Sequence, residues 1–232
     1  KHFSKLPKVG WFIVAVGIYA ISHAVFPATW SWHGDIRYDW SEAQIGFSLA
    51  LVGIGSAVVQ AMLAGRMTKT LGPTKTATIG LSVTIISMFL FAAAGYGWMA
   101  YLVLIVSSLG GVAQPAMQQL MTGVTPKNAQ GELQGALASV QSLMGVILGP
   151  LVMTGTLSYF SQPDAPIHFE GANFFLAGIL AAMAMVPFLL GVRANREEVK
   201  EIDKEARAAE EPTGDPTEMD PSMGTSPAHA DD

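Results

Sequence analysis

Six apolar runs, each free of Asp, Glu, Lys and Arg, constrain this chain more than any other feature of its sequence. They are approximately Val9–Trp30, Ala43–Gly65, Thr76–Gly95, Trp98–Val124, Leu133–Phe160 and Asn173–Val192. An α-helix rises about 1.5 Å per residue, so about 20 apolar residues cross the roughly 30 Å hydrocarbon layer of a bilayer. Every run is that long. The pattern predicts an all-α membrane protein with six transmembrane helices.

Lysine and arginine lie almost entirely in one set of the connections between these runs. That set holds Lys1, Lys5, Lys8, Arg66, Lys69, Lys75, Lys127, Arg193, Arg196, Lys200, Lys204 and Arg207, whereas Arg37 belongs to the other. The positive-inside rule then places both ends of the chain in the cytoplasm. The opposite set carries aromatic residues, which favour the membrane–water interface. We therefore expect a multi-pass protein of the bacterial inner (plasma) membrane.

Several function classes find no support in the sequence. The chain has no cysteine, which excludes disulfides, thiolate metal sites and a cysteine nucleophile. No basic stripe with interleaved aromatic residues suggests nucleic-acid binding. His33 and His168 fall in predicted loops and are too isolated for a metal site. No Gly-x-Ser-Gly with a partner histidine in the last run indicates an intramembrane protease, so we expect neither an enzyme nor a cofactor.

The chain divides into residues 1–193, which contain the six runs, and residues 194–232. From Asn195 to Glu211 acidic and basic residues alternate at helical spacing, which predicts a short solvated helix that continues the last run. From Pro212 onward the chain has nothing to bury and is predicted to be a disordered cytoplasmic tail.

Polar side chains inside the runs are the candidates for a binding site. Gln114 and Gln118 are four residues apart on one face of the fourth run, and similar polar residues occur in three others: Gln141, Gln60, Ser56 and His23. Amides are costly against lipid, so these side chains should face the bundle interior. They either line a cavity for a small molecule or form hydrogen bonds between helices. His23 either relays protons or bonds to a backbone carbonyl.

Glycine and proline mark places where helices approach closely or bend. Gly145 and Gly149 share one face of the fifth run and Pro150 follows, a pattern that suits either a rocking contact or simple dense packing. In the fourth run Pro115 leaves a backbone carbonyl without its helical donor.

A basic, glycine-bounded loop is predicted between the second and third runs. Its characteristic residues are Gly65, Arg66, Lys69, Gly72 and Lys75. Glycine permits a tight reversal, and cations are favourable near helix C-termini.

Several stretches together resemble a known transporter family. They are Trp40–Ala50, Gln60 to the Gly65–Gly72 loop, Gly97–Ala100, Gly110–Ala116, Gln130–Gly135 and Gly149–Leu151. In order and spacing they resemble the C-terminal six-helix half of a major facilitator superfamily transporter, of the tetracycline-resistance (Tet/TCR) drug:proton antiporter type. Lys69 stands where the superfamily's loop commonly has an acid.

The resemblance implies twelve spans in two halves that alternate access around a midplane site. It implies proton-coupled efflux of a drug or amphipathic metabolite, with an N-terminal half upstream of Lys1 as partner. Ser56 and Ile85 stand where the family has a histidine and an aspartate that couple drug and proton movement. The substrate, the coupling ion and the stoichiometry therefore stay open, and proton coupling would use acids of the other half.

Two other interpretations remain open from the sequence. The polar glutamines also suit a superfamily uptake porter for a small polar solute. A half-size transporter that dimerises, or a scaffold, would also have six spans. The chain begins with Lys1 rather than Met, which suggests a fragment or a processed form, whereas a natural Met just before Lys1 would indicate one of the half-size forms.

Overall fold

The computed structural model describes residues 9–162 and 164–209. Six of its helices are long and apolar enough to cross a membrane: α1 (Gly10–Tyr38), α2 (Glu42–Leu71), α3 (Pro73–Ala93), α4 (Gly97–Val124), α5 (Lys127–Phe160) and α6 (Ala172–Ala194). A shorter, charged helix follows, α7 (Arg196–Ala208). The predicted all-α membrane fold with six transmembrane helices is confirmed. Lys1, Lys5, Lys8 and the tail from Pro212 onward lie outside the described residues.

Most of the cations lie at one end of the bundle, and exposed aromatic residues cluster at the other. We call one end of the bundle the basic end; it comprises the α2–α3 and α4–α5 connections and α7, with Arg66, Lys69, Lys75, Lys127 and the cations of α7. We call the other the aromatic end; it carries Trp32, Tyr38, Tyr96, Trp98 and Tyr159. Which end faces the cytoplasm stays a prediction.

Helix α1 extends to Tyr38, past the predicted boundary near Trp30. The extra turns contain His33, which is fully buried and packs against the Phe174 ring at a centroid distance of 4.7 Å. The placement of His33 in a loop was therefore wrong. The charged residues after the apolar run do not end the helix: Asp35 is exposed, and Arg37 finds partners at the end of α3 and before α6.

Arg37 is the residue that ties the end of α1 to the rest of the aromatic end. Its guanidinium donates hydrogen bonds to the carbonyl oxygens of Ala94, at 2.7 Å, and Ala92, at 3.2 Å. A carboxylate oxygen of Glu170 lies 3.6 Å from it. The cation thus bonds the C-terminal carbonyls of α3 and an acid that precedes α6, which explains how a charge is accommodated there.

Local sequence signals explain where α2 begins and ends. At its start the Ser41 hydroxyl accepts from the Gln44 N–H, and the Gln44 side chain accepts from the Ser41 N–H, a reciprocal capping box. At its end Gly72 has φ of 84°, a conformation that favours glycine, and Pro73 opens α3. Most of the basic loop predicted here is helical. Only Gly72 separates α2 from α3.

The core lies between α1, α3, α4 and α6. Large side chains such as Phe12, Leu81, Met117 and Phe188 are fully buried there. In contrast, only 17% of the most apolar stretch of α2 is buried, and the same holds for α5. These two helices therefore expose most of their apolar surface.

Helix α7 packs against the basic end. Val199 is only 3% exposed, and Ile202 packs over Gly123 of α4. An Asp203 carboxylate oxygen accepts the Thr74 N–H of α3 at 3.0 Å, and the Arg207 guanidinium donates to the Leu71 carbonyl of α2 at 2.8 Å. The expectation of a solvated helix that continues the last span was wrong, because α7 starts anew after Asn195 and buries an apolar edge.

Replacing Asp203 with Ala should loosen α7 from the bundle. The carboxylate caps the second residue of α3, and such a cap is worth about 1 kcal/mol, so opening of α7 should become roughly 5-fold more frequent. Hydrogen exchange of the peptide covering 196–208 in the purified full-length protein measures this. Glu205→Ala is the control, since Glu205 is an exposed acid of the same helix. Equal exchange in both variants would contradict the role of Asp203.

Candidate functional site

A cavity of about 250 Å³ lies between α1, α4 and α5. Four of the predicted candidates line it together: His23, Gln114, Gln118 and Gln141. Apolar side chains, among them Met117, Met121 and Val146, make up much of the remaining wall. No Asp, Glu, Lys or Arg is among the residues that the structure places around it. We call this space the central cavity.

A groove of about 530 Å³ continues from the central cavity along α2, α4 and α5. The two spaces share Gln114, Gln118 and Gln141, and the groove adds Gln60 and Gln134. The Gln118 amide donates to the Gln134 side-chain oxygen at 3.2 Å. Gln134 was not predicted, although its spacing of seven residues from Gln141 puts both on one side of α5.

A second, smaller cavity of about 120 Å³ lies on the other side of His23. Ser56 reaches it from α2. The other hydroxyls that line it were not predicted: Tyr19, Thr84, Ser87, Ser107 and Ser108. The Ser87 hydroxyl is buried and has no hydrogen-bond partner within the described residues. His23 therefore borders two spaces, one rich in amides and one rich in hydroxyls.

The sequence also matches the model of a known family. Residues 9–223 match the family model described as Major Facilitator Superfamily. The chain belongs to this superfamily. Its candidate polar residues thus lie in a helix bundle of a transporter superfamily.

The superfamily members most similar to the chain include tetracycline resistance proteins. It is 34% identical over 161 residues to the class H protein of Pasteurella multocida, which covers 69% of this chain and 39% of that protein. The chain is 38% identical over 127 residues to the class C protein of Escherichia coli, an alignment that covers 55% of this chain and 32% of that protein. It is 34% identical over 163 residues to the class B protein of Escherichia coli, an alignment that covers 69% of this chain and 40% of that protein. The predicted resemblance is confirmed, and the chain spans less than half the length of these relatives.

In this superfamily member Gln60 forms a hydrogen bond between helices. Its amide donates to the Gly111 carbonyl of α4 at 3.2 Å. That carbonyl is the one that Pro115, four residues later, leaves without a backbone donor. Gln60 sits in a π-helical segment of α2, Val59–Ala64, and Gly111 in a 3-10 segment of α4, Leu109–Val112. Local distortion of both helices therefore accommodates this contact.

The Gly145–Gly149 face of α5 packs against α1. A Cβ at Gly149 would collide with the Ala24 side chain, and one at Gly145 would lie 3.4 Å from the Ala20 Cβ. Gln141–Leu148 forms a π-helical segment, and Pro150 follows it. The small residues explain how α1 and α5 approach closely beside the central cavity; whether the contact rocks stays a prediction.

His23 lies where the hydrogen bonding of α1 is interrupted. Pro27 has no N–H, so the His23 carbonyl lacks its helical donor, and the regular helix pauses at Ala24. The imidazole ring lies between the Tyr19 and Phe26 rings, at centroid distances of 5.6 and 5.7 Å. The aromatic neighbours orient the ring toward the two cavities that it lines.

The basic residues of the predicted loop do not reach the central cavity. Gly65, Arg66 and Lys69 lie in the last turns of α2, and Lys75 lies in the first turn of α3. Lys69 lines a groove with Gln119 of α4 and the end of α7. These cations therefore belong to the basic end rather than to the binding space.

Proposed function

We propose that this chain is the six-helix C-terminal half of a secondary transporter that exports an amphipathic drug or metabolite in exchange for protons. The single observation that supports this most is the central cavity, where amides and thioethers of α4 and α5 converge with the His23 imidazole of α1 without a charged side chain. Tetracycline resistance of the relatives favours export of a drug-like compound.

The wall of the central cavity indicates the kind of substrate. Each glutamine amide can both donate and accept hydrogen bonds, while Met117 and Met121 adapt their shape to an apolar surface. A permanently charged substrate would lose hydration without gaining an opposite charge from this half. We therefore infer a substrate, or a substrate face, that is uncharged and combines an apolar body with hydrogen-bonding groups.

A second six-helix half is the partner that we propose for the exposed helices. Most of the apolar surface of α2 and α5 is uncovered in this chain. The relatives are more than twice as long as their aligned part. In the complete protein the other half would face the central cavity, and rocking of the two halves would alternate access to it.

His23 is the group that we propose for proton movement within this half. Family members of the resembled type have a histidine at the position of Ser56, and His23 lines the same small cavity as Ser56. A neutral imidazole between an amide-lined and a hydroxyl-lined space can accept a proton from one side and release it to the other. Acids of the other half would supply the remaining coupling groups.

Gln118→Leu should weaken export without unfolding the protein. The full-length gene is expressed in an efflux-deficient bacterial host, and export of fluorescent amphipathic dyes is followed with and without a protonophore. Loss of one amide contact should raise the KM for export roughly 5- to 10-fold at similar kcat. Gln119→Leu is the matched control on the same helix, since Gln119 lies in the Lys69 groove.

Three results would count against this proposal. One is wild-type protein that changes the accumulation of no dye. Another is export that is indifferent to the protonophore, which would remove the coupling. Equal KM values for both glutamine variants would move the binding site away from the central cavity.

A further inference from the structure

Five cations lie close together in sequence in the last turn of α6 and along α7. They are Arg193, Arg196, Lys200, Lys204 and Arg207, spaced by three or four residues. At about 100° per residue the four positions within α7 fall within an arc of roughly 80°, and Arg193 lies in the last turn of α6, two residues before the break at Asn195. Glu198, Glu201 and Glu205 fall on another side of the helix, and Val199 and Ile202 on the buried side. We call the five cations the basic stripe.

Most of the basic stripe is not used to hold the protein together. All five side chains belong to exposed residues. Within residues 9–162 and 164–209, Arg193, Arg196 and Lys204 have no hydrogen bond or ion pair. Lys200 pairs with exposed Glu197 at 3.0 Å, and such an exposed pair contributes little stability. Arg207 alone is tied to the bundle, through the Leu71 carbonyl.

The fold fixes the stripe beside the end of a membrane helix. Only Asn195 separates the last residue of α6 from the first of α7. The contacts of Ile202 with α4, of Asp203 with α3 and of Arg207 with α2 keep α7 against the bundle rather than in open solvent. A shallow depression of about 520 Å³ is lined by Lys200, Lys204 and Arg207 together with Asp203. The stripe therefore lies where the headgroups of a bilayer would be.

We propose that the basic stripe binds the headgroup of an anionic phospholipid. A phosphodiester supplies the negative charge and the acceptor oxygens that lysine and arginine bind well. A cationic helix beside the membrane gains roughly 5-fold in affinity per cation near an anionic surface. One oxygen of the Asp203 carboxylate is directed to the bundle, where it accepts the Thr74 N–H. The proposal does not depend on the transported substrate.

The test uses the full-length protein in detergent and native mass spectrometry of retained lipids. Phosphatidylglycerol and phosphatidylcholine, which share acyl chains but differ in charge, are added at equal concentration. Wild type should retain phosphatidylglycerol preferentially, and Lys200→Gln/Lys204→Gln should reduce that affinity about 25-fold. Lys200→Arg/Lys204→Arg should restore it. The matched control is Arg66→Gln/Lys127→Gln, which removes the same charge from the same end of the bundle.

The outcomes separate a lipid site from its alternatives. Retention of both lipids alike, or equal losses in the two glutamine double variants, would overturn the proposal, because general charge would then explain the attraction. Displacement of phosphatidylglycerol by millimolar inorganic phosphate would indicate a free-phosphate site and would also overturn it. Failure of the arginine variant to bind would show that the lysine-to-glutamine loss came from damage to α7.

Discussion

Gly80→Ala should cause a large loss of folded protein, because an added methyl group would meet the backbone of a neighbouring helix. A Cβ at Gly80 of α3 would lie 2.6 Å from the Ala113 nitrogen and 2.9 Å from its Cα. These are backbone atoms of α4 and cannot swing aside as a flexible side chain can. Overpacking of this kind costs about 3 kcal/mol, because α3 and α4 must separate along their contact.

Gly46→Ala is the control for the Gly80→Ala variant. Gly46 of α2 has no atom within 4 Å of an added Cβ, so Gly46→Ala should be neutral or slightly stabilising through helix propensity. The thermal unfolding midpoint and the monodisperse fraction of the full-length protein in detergent report both variants. If Gly80→Ala unfolds at the wild-type temperature, α3 and α4 are not in the close contact that the structure shows.

Val146→Trp should nearly abolish transport while leaving the fold intact. Val146 lines the central cavity and is 73% exposed, so an indole at this position projects into open space rather than into packed neighbours. The cavity measures about 250 Å³, and the indole would occupy much of it. Export of the substrate should therefore fall roughly tenfold or more.

The control for this blockage is a tryptophan at an exposed apolar position outside the cavities. Ile179 of α6 is exposed and borders neither the central cavity nor the groove. Ile179→Trp should export at a rate within about 2-fold of wild type, since Trp and Ile are both tolerated on apolar surface. Unchanged transport in Val146→Trp, at equal membrane abundance and unfolding temperature, would mean that substrate does not pass through the central cavity.

Most amides of the site were predictable, whereas the hydroxyls other than Ser56 were not. Glutamine inside an apolar run is costly against lipid, so Gln114, Gln118 and Gln141 stand out in the sequence. Thr84 and Ser87 do not stand out, because a hydroxyl can satisfy itself by bonding to the carbonyl four residues before it, as Thr84 does with Gly80. Their place beside His23 depends on how α3 packs against α1.

The ends of α1 and the course of α7 also lay beyond sequence reasoning. The apolar run stops near Trp30, but α1 continues because Arg37 finds carbonyl acceptors at the end of α3 and an acid before α6. The charge pattern after Asn195 predicts a helix but not its direction. Asp203 and Arg207 set that direction by bonding to the two sides of Gly72.

The sequence by itself determined that this protein is a bundle of six apolar helices. Its glycines and prolines indicated close helix contacts and bends, and its glutamines indicated candidate binding positions. The bilayer makes this possible, because every backbone group must bond within its own helix and so each span is encoded locally. Only the tertiary structure decided which of these residues lie next to one another. Gln60 forms a hydrogen bond between α2 and α4. Gln114, Gln118 and Gln141 line one cavity together with His23. Such groupings depend on contacts between distant residues that no local pattern records.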